Sequence, residues 1–189
     1  MILPIFAYGQ PVLKKVATDI GPDYPELAQL IANMWETMYH ADGVGLAAPQ
    51  IGLAIRLFVI DSTPIERDEK KGDEQPGFKR VFINAQKLEE TGEPWAYEEG
   101  CLSIPRIRGD VDRPPVIRLR WQDENFETHE ETFIGINARI IQHEYDHIEG
   151  ILFTEKLKPL KKRLIQRKLD DIRAGKINTD YKMKFFATR

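Results

Sequence analysis

Apolar positions early in the chain recur with a helical period. Leu27, Leu30, Ile31, Met34 and Met38 occupy i, i+3, i+4, i+7 and i+11 of one face, which predicts an amphipathic helix. Asp23 and Glu26 stand at capping-box spacing, so the helix is expected to start after Asp23 and to end near His40. The following ADGVGLAAPQIG is too rich in Gly and Pro for a regular helix and too apolar for an exposed loop.

The period then shortens to two. RLFVID (56–61) reads as a buried strand. VFINAQKLEE, PWAYEEGCLS, VIRLRWQ and NFETHEETF also read as strands, with Ile117, Leu119 and Trp121 alternating with Arg118 and Arg120. Residues 62–80, STPIERDEKKGDEQPGFKR, are expected to form an exposed charged loop. Helical spacing returns from Ile136 to Ile148, with Gly150 suited to a C-terminal cap. Pro159 opens a last helix, where Leu160, Leu164, Ile165, Leu169 and Ile172 are expected to form an apolar stripe. No pattern places the tail, residues 176–189. Because strands and helices are grouped rather than alternating, the expected class is α+β. The expected architecture is a single domain over 1–189, with mixed or antiparallel sheets around the 136–148 helix and a helix towards each end.

Composition narrows the setting. A chain of 189 residues with 42% hydrophobic and 30% charged residues suits one soluble domain with a substantial core. Its net charge of -3 argues against a nucleic-acid binder, which needs a basic excess. No apolar run is long enough to span a membrane. The N-terminal MILPIFAYGQ lacks the basic start and cleavage site of a signal peptide. Cys101 is the single cysteine, which excludes an intramolecular disulfide and suits a reducing, cytoplasmic location.

The candidate chemistry lies in QHEYDHIEG (142–150). On a helix, H-E-x-x-H puts His143 and His147 one turn apart on one face with Glu144 beside them. Histidines at this spacing also occur on surfaces or as hydrogen-bonded core pairs. Here they extend an apolar face begun by Ile136 and Ile140, where imidazoles and a carboxylate are costly to bury without a task. A divalent cation lowers the pKa of a bound water towards neutrality. A carboxylate beside that water can take its proton and later deliver it to a leaving amine. Asp146 is a candidate to steady a ligand, and Glu149 is expected to face solvent.

Two histidines need a third partner, because a hydrolytic site usually has three protein ligands and one open position. His40 sits at a helix end, where a cation favours the dipole. His129 shares a strand face with Glu127 and Glu131 and is expected to be exposed. No histidine follows His147, and no glutamate follows Glu155. Cys101 remains. A lone cysteine is ordinarily an inert small hydrophobe, but this one follows a strand and the flexible Gly100.

Three motifs now stand in order: GVGLAAPQ (43–50), EGCLS (99–103) and QHEYDH (142–147). Together they resemble the bacterial peptide deformylases, marked by G-x-G-x-A-A-x-Q, E-G-C-x-S and H-E-x-x-D-H segments. The order of elements is similar from about Val12 to Ile172. The resemblance implies hydrolytic removal of the N-formyl group from the initiator methionine of nascent polypeptides, with release of formate. It implies Cys101, His143 and His147 as metal ligands, and Glu144 as general base and then acid, with metal-bound water attacking the formyl carbonyl. Gln50, through its amide, and the Leu102 N–H would hold the oxyanion. Gly45 and Gly100 would offer main-chain groups to an extended peptide. Val44, Ile136 and Ile140 are candidates for the methionine pocket, the last two also by helix spacing. One divalent ion is implied, natively Fe²⁺, with Zn²⁺, Ni²⁺ or Co²⁺ as replacements; thiolate and imidazole suit zinc or ferrous iron without choosing between them. The 62–80 segment departs from the pattern by being longer than the matching turn of compact members.

A zinc endopeptidase of the H-E-x-x-H type is the alternative, but it leaves EGCLS and Gln50 unused. A structural metal would ordinarily have four protein ligands. The basic run from Lys156 to Lys168 most simply forms a solvated helix face. With nascent chains as substrate, it is also a candidate for a weak ribosome contact by an expected monomer.

Overall fold

The computed structural model describes residues 1–66 and 75–186. Helix α1 spans Leu27–His40 and buries Ile31, Met34 and Met38. It begins later than the Asp23–Glu26 spacing suggests. Pro25 disfavours a helical conformation at Tyr24, Glu26 takes a left-handed φ of 52° at the N-cap, and no side chain caps the helix.

The Gly- and Pro-rich stretch that follows forms strand β2 (Gly45–Ala47) and a 3-10 turn over Ala48–Ile51. Strand β2 is the edge of an antiparallel five-stranded sheet. Its neighbours, in spatial order, are β3 (Leu57–Asp61), β4 (Lys79–Thr91), β7 (Val116–Gln122) and β8 (Thr128–Ile134). β3 is buried along its length, as its unbroken apolar run requires. In β7, Ile117, Leu119 and Trp121 point inward. Phe58 stacks on Phe82 at 4.9 Å, and Phe82 meets Trp121 at 5.1 Å. The central helix α2 (Gly135–Ile148) packs its isoleucines into this cluster. Gly150 follows it with a φ of 70°, where a Cβ would press on the Lys14 carbonyl.

Strands β5 (Trp95–Cys101) and β6 (Ile104–Arg113) form a separate antiparallel hairpin. β6 has no counterpart among the sequence expectations. Its register shifts between Gly100 and Cys101, and Arg106 has a φ of 62°. Such a bulge resets the alternation of buried positions. Helix α3 (Pro159–Arg173) lies against β6 and buries Ile165, Leu169 and Ile172. Leu160 and Leu164 do not join that stripe; they are 70% and 69% exposed. At about 100° per residue they lie well over a quarter-turn round the helix from it.

The tail does have a place. Strand β9 (Met183–Lys184) pairs in parallel with β1 (Ile5–Phe6), bringing the two ends of the chain together. The architecture is α+β, with mixed and antiparallel pairing around α2, as expected. Of the 62–80 loop, Ser62 is buried and residues 79–80 belong to β4, while residues 67–74 lie outside the described residues.

Candidate metal centre and active site

α2 presents His143 and His147 from successive turns, and the end of β5 presents Cys101. The sulfur and the two imidazoles offer donor atoms that all lie within 4.8 Å of one another. Cys101 Sγ is 3.4 Å from His147 Nε2. A thiolate and two imidazoles so disposed are a donor set for zinc or ferrous iron.

His143 is fixed from behind. Its Nδ1–H donates to Glu99 Oε2 at 2.9 Å, so its Nε2 is the nitrogen left for a cation. Arg113 clasps Glu99 with bonds of 2.6 and 3.0 Å, and Arg139 adds a third at 3.0 Å. Arg113 also bonds Asp146 at 2.8 Å, so Asp146 steadies the arginine and not, as expected, a ligand. All four charged residues are buried. Burial alone would push the Glu99 carboxyl up, but bonds from His143 and Arg113 outweigh it and hold the group well below the carboxylate range. Burial pushes His143 down, yet Cys101 and Glu99 carry it well above its ordinary value, so a cation competes with a proton for this ring. His147 is pushed well below its ordinary value by burial and by His143, which keeps its lone pair free.

Glu144 is buried beside the ligands, and its Oε2 has no hydrogen-bond partner among the described residues. Burial raises its pKa to about 7, with His143 opposing. Gly45 makes room for it. A Cβ there would sit 2.7 Å from Glu144 Cδ and closer still to Oε1.

Gln50 is held in one orientation. Its Oε1 accepts the Ala47 N–H at 2.9 Å, which turns Nε2 towards Cys101 Sγ at 3.5 Å and Ser103 Oγ at 3.3 Å. Tyr181 donates its hydroxyl to the Leu102 carbonyl at 2.7 Å. Burial, then the Cys101 and Asp180 charges, push its phenol well above its ordinary range, so it stays protonated.

Val44, Gly45, Gln50, Gly100, Cys101, Leu102, Ile136, Ile140, His143 and Glu144 line one cavity of about 590 Å³. His147 lies beneath it, 1% exposed. The structure therefore gathers every candidate site residue into one place. His40 and His129 stay outside it; both are exposed, as was expected of His129, and His40 ends α1. Glu149 is half-buried and pairs with Arg56 at 2.8 Å, contrary to the expectation of free exposure. Sequence reasoning missed Glu99, Arg113, Arg139, Ser103 and Tyr181. Glu99 and Ser103 carried a signal as the ends of the EGCLS motif, and Arg139 as a cation within a helix otherwise rich in apolar residues.

The sequence model of the family described as Polypeptide deformylase matches residues 2–163. The chain belongs to the peptide deformylase family. A peptide deformylase of Christiangramia forsetii is 60% identical over 189 residues, covering 98% of this chain and 96% of the relative. That of Salinibacter ruber is 43% identical, covering 96% and 93%. Among solved structures, a peptide deformylase from Legionella pneumophila superposes with a TM-score of 0.79 at 35% identity, covering 95% of this chain and 99% of that one. One from Synechococcus elongatus in complex with actinonin gives 0.76 at 36% identity, covering 88% and 87%. These peptide deformylases share the fold around α2, whereas residues 164–186 of this chain lie beyond the family match.

Proposed function

We propose that this chain is a metal-dependent peptide deformylase that hydrolyses the formamide of N-formylmethionyl nascent peptides, giving formate and a free amino terminus. One observation carries the reading: a Cys–His–His donor set beside a buried, unpaired carboxylate oxygen at the floor of an apolar cavity. Cys101, His143 and His147 would hold the ion. A divalent cation bound there lowers the pKa of water and polarises a carbonyl.

The remaining roles fall to the chain. Glu144 accepts the proton of the attacking water through Oε2 and returns it to the leaving amine, work typically worth about 10²–10⁴ in rate. Gln50 Nε2 and the Leu102 N–H donate to the oxygen as it gains negative charge, each worth about 10²–10³. Val44, Ile136 and Ile140 offer an apolar wall to the methionine side chain. The edge strand β2 at Gly45 and the end of β5 at Gly100 flank the cavity, a layout that suits an extended peptide added as a strand.

Ferrous iron is the proposed native ion, with zinc, nickel or cobalt able to replace it, and the cytoplasm is the proposed location, where the thiolate stays reduced. The exposed cations Lys161, Lys162, Arg163, Arg167 and Lys168 of α3 support a salt-sensitive ribosome contact by the monomer. Charge reversal there should abolish co-sedimentation with ribosomes.

The test of the reaction is anaerobic purification, metal analysis and formate release from a formyl-methionyl tripeptide. Glu144→Gln should keep its metal and lose nearly all turnover. Normal deformylation by that variant would remove Glu144 from the mechanism, and cleavage of internal peptide bonds by the parent would favour an endopeptidase.

A further inference from the structure

We propose that Tyr181, on the C-terminal tail, is a positioning residue for the oxyanion-binding turn at Cys101–Ser103. The inference rests on the Leu102 N–H being one of the two oxyanion donors. That turn joins β5 to β6, and Leu102 has no partner in their register, where Cys101 pairs directly with Ile104. The hairpin alone therefore does not fix the peptide plane that follows Leu102.

Three contacts from other parts of the chain do. Gln50 Nε2 donates to Ser103 Oγ at 3.3 Å. The Tyr8 N–H donates to the Ser103 carbonyl at 2.9 Å. Tyr181 donates to the Leu102 carbonyl at 2.7 Å, the ordinary length of a good O–H···O bond. Its bond holds the plane that directly follows the Leu102 N–H. If that plane rotates, the adjoining Cys101–Leu102 plane loses its aim at the substrate oxygen.

The tail is built to deliver the hydroxyl. Ile5 N–H donates to the Lys182 carbonyl at 2.9 Å, and Ala7 N–H to the Lys184 carbonyl at 3.0 Å. Thr179 Oγ1 bonds the Tyr181 carbonyl at 2.7 Å, closing the turn that precedes β9. The Tyr181 ring packs against the apolar cluster that also receives Leu102. Thr179, Asp180 and Tyr181 line the same cavity as Glu144 and Gln50. All three residues fall outside the stretch matched by the family model.

Tyr181→Phe removes the hydroxyl and keeps the ring. The expected result is a fall in kcat of about tenfold, the scale of one misdirected hydrogen bond, with KM changed less than about twofold. Metal content should match the parent. In the zinc-loaded protein, ¹⁵N relaxation should show the Leu102 and Ser103 amides leaving the rigid range, with order parameters falling from about 0.85 towards about 0.6. Replacing Tyr181 with 4-aminophenylalanine, which keeps a donor at the para position, should restore both readings, and it keeps the test open if Tyr181→Phe folds poorly. Unchanged order parameters would show that Tyr181 does not hold the turn. Loosened amides with unchanged kcat would instead remove Leu102 from the oxyanion site and the proposal with it. A rise in KM alone would make the tail a substrate wall and overturn positioning.

Discussion

Two clusters among the described residues each bring three metal-ligating side chains within 4.8 Å: Cys101–His143–His147 and Asp123–Glu127–His129. Proximity does not tell them apart; their surroundings do. In the second, His129 Nε2 lies 2.7 Å from Asp123 Oδ2, and the ring stacks on Trp121 at 5.5 Å. Asp123 Oδ1 accepts the backbone N–H groups of Asn125 and Glu127, so the carboxylate is engaged in closing the β7–β8 turn. The His129 bond holds its pKa down. The first cluster turns each imidazole inward from a buried frame, with Glu99 behind His143 and an unpaired Glu144 oxygen alongside. The near sides of these donors are uncommitted, and His143 has its far side fixed by Glu99, while His147 Nδ1 has no partner among the described residues.

The comparison can be broken most sharply by removing the sulfur. Cys101→Ala should bind less than about a tenth of an equivalent of zinc after dialysis, against one equivalent in the parent, and should release no measurable formate. Retention of a full equivalent by this variant would shift the centre to the Asp123 cluster. Gly45→Ala comes next. Displacing Glu144 by about 1 Å should lower kcat about 10²-fold with metal content intact, and kinetics beside metal analysis will show whether the two separate. Glu99→Gln should weaken metal affinity about 10–100-fold in chelator competition. It should also lower stability by about 3–5 kcal/mol in urea, because Arg113 and Arg139 lose a buried counter-charge. His129→Ala closes the series, with stability within about 0.5 kcal/mol of the parent and unaltered zinc stoichiometry. A loss of zinc on that change would restore the second cluster as a site.

Legibility in the sequence followed the range of the forces involved. α2 and β3 could be read because their burial is local and periodic. The metal ligands could be read because His143 and His147 share a helix and few alternatives to Cys101 exist. β6 was obscured because Pro105, Gly109 and Arg113 fill three of its alternating buried positions, so the apolar period does not show in the residue types. β1 and β9 are two residues each, too short to show any period. Glu99 resembles the exposed Glu98 beside it in sequence; only the approach of Arg113 and Arg139 from distant elements makes it a buried keystone. The apolar stripe assigned to α3 failed at Leu160 and Leu164 because composition suggested one face where geometry provides two.

The pairing of Ile5 with Met183 has a bearing on how the protein is made. This contact joins residues far apart in the sequence, so it cannot form until Met183 has left the exit tunnel. The same holds for the Tyr181 bond to Leu102. A catalyst that acts on unfinished chains is thus itself unfinished until residues 181–184 have emerged to latch the turn.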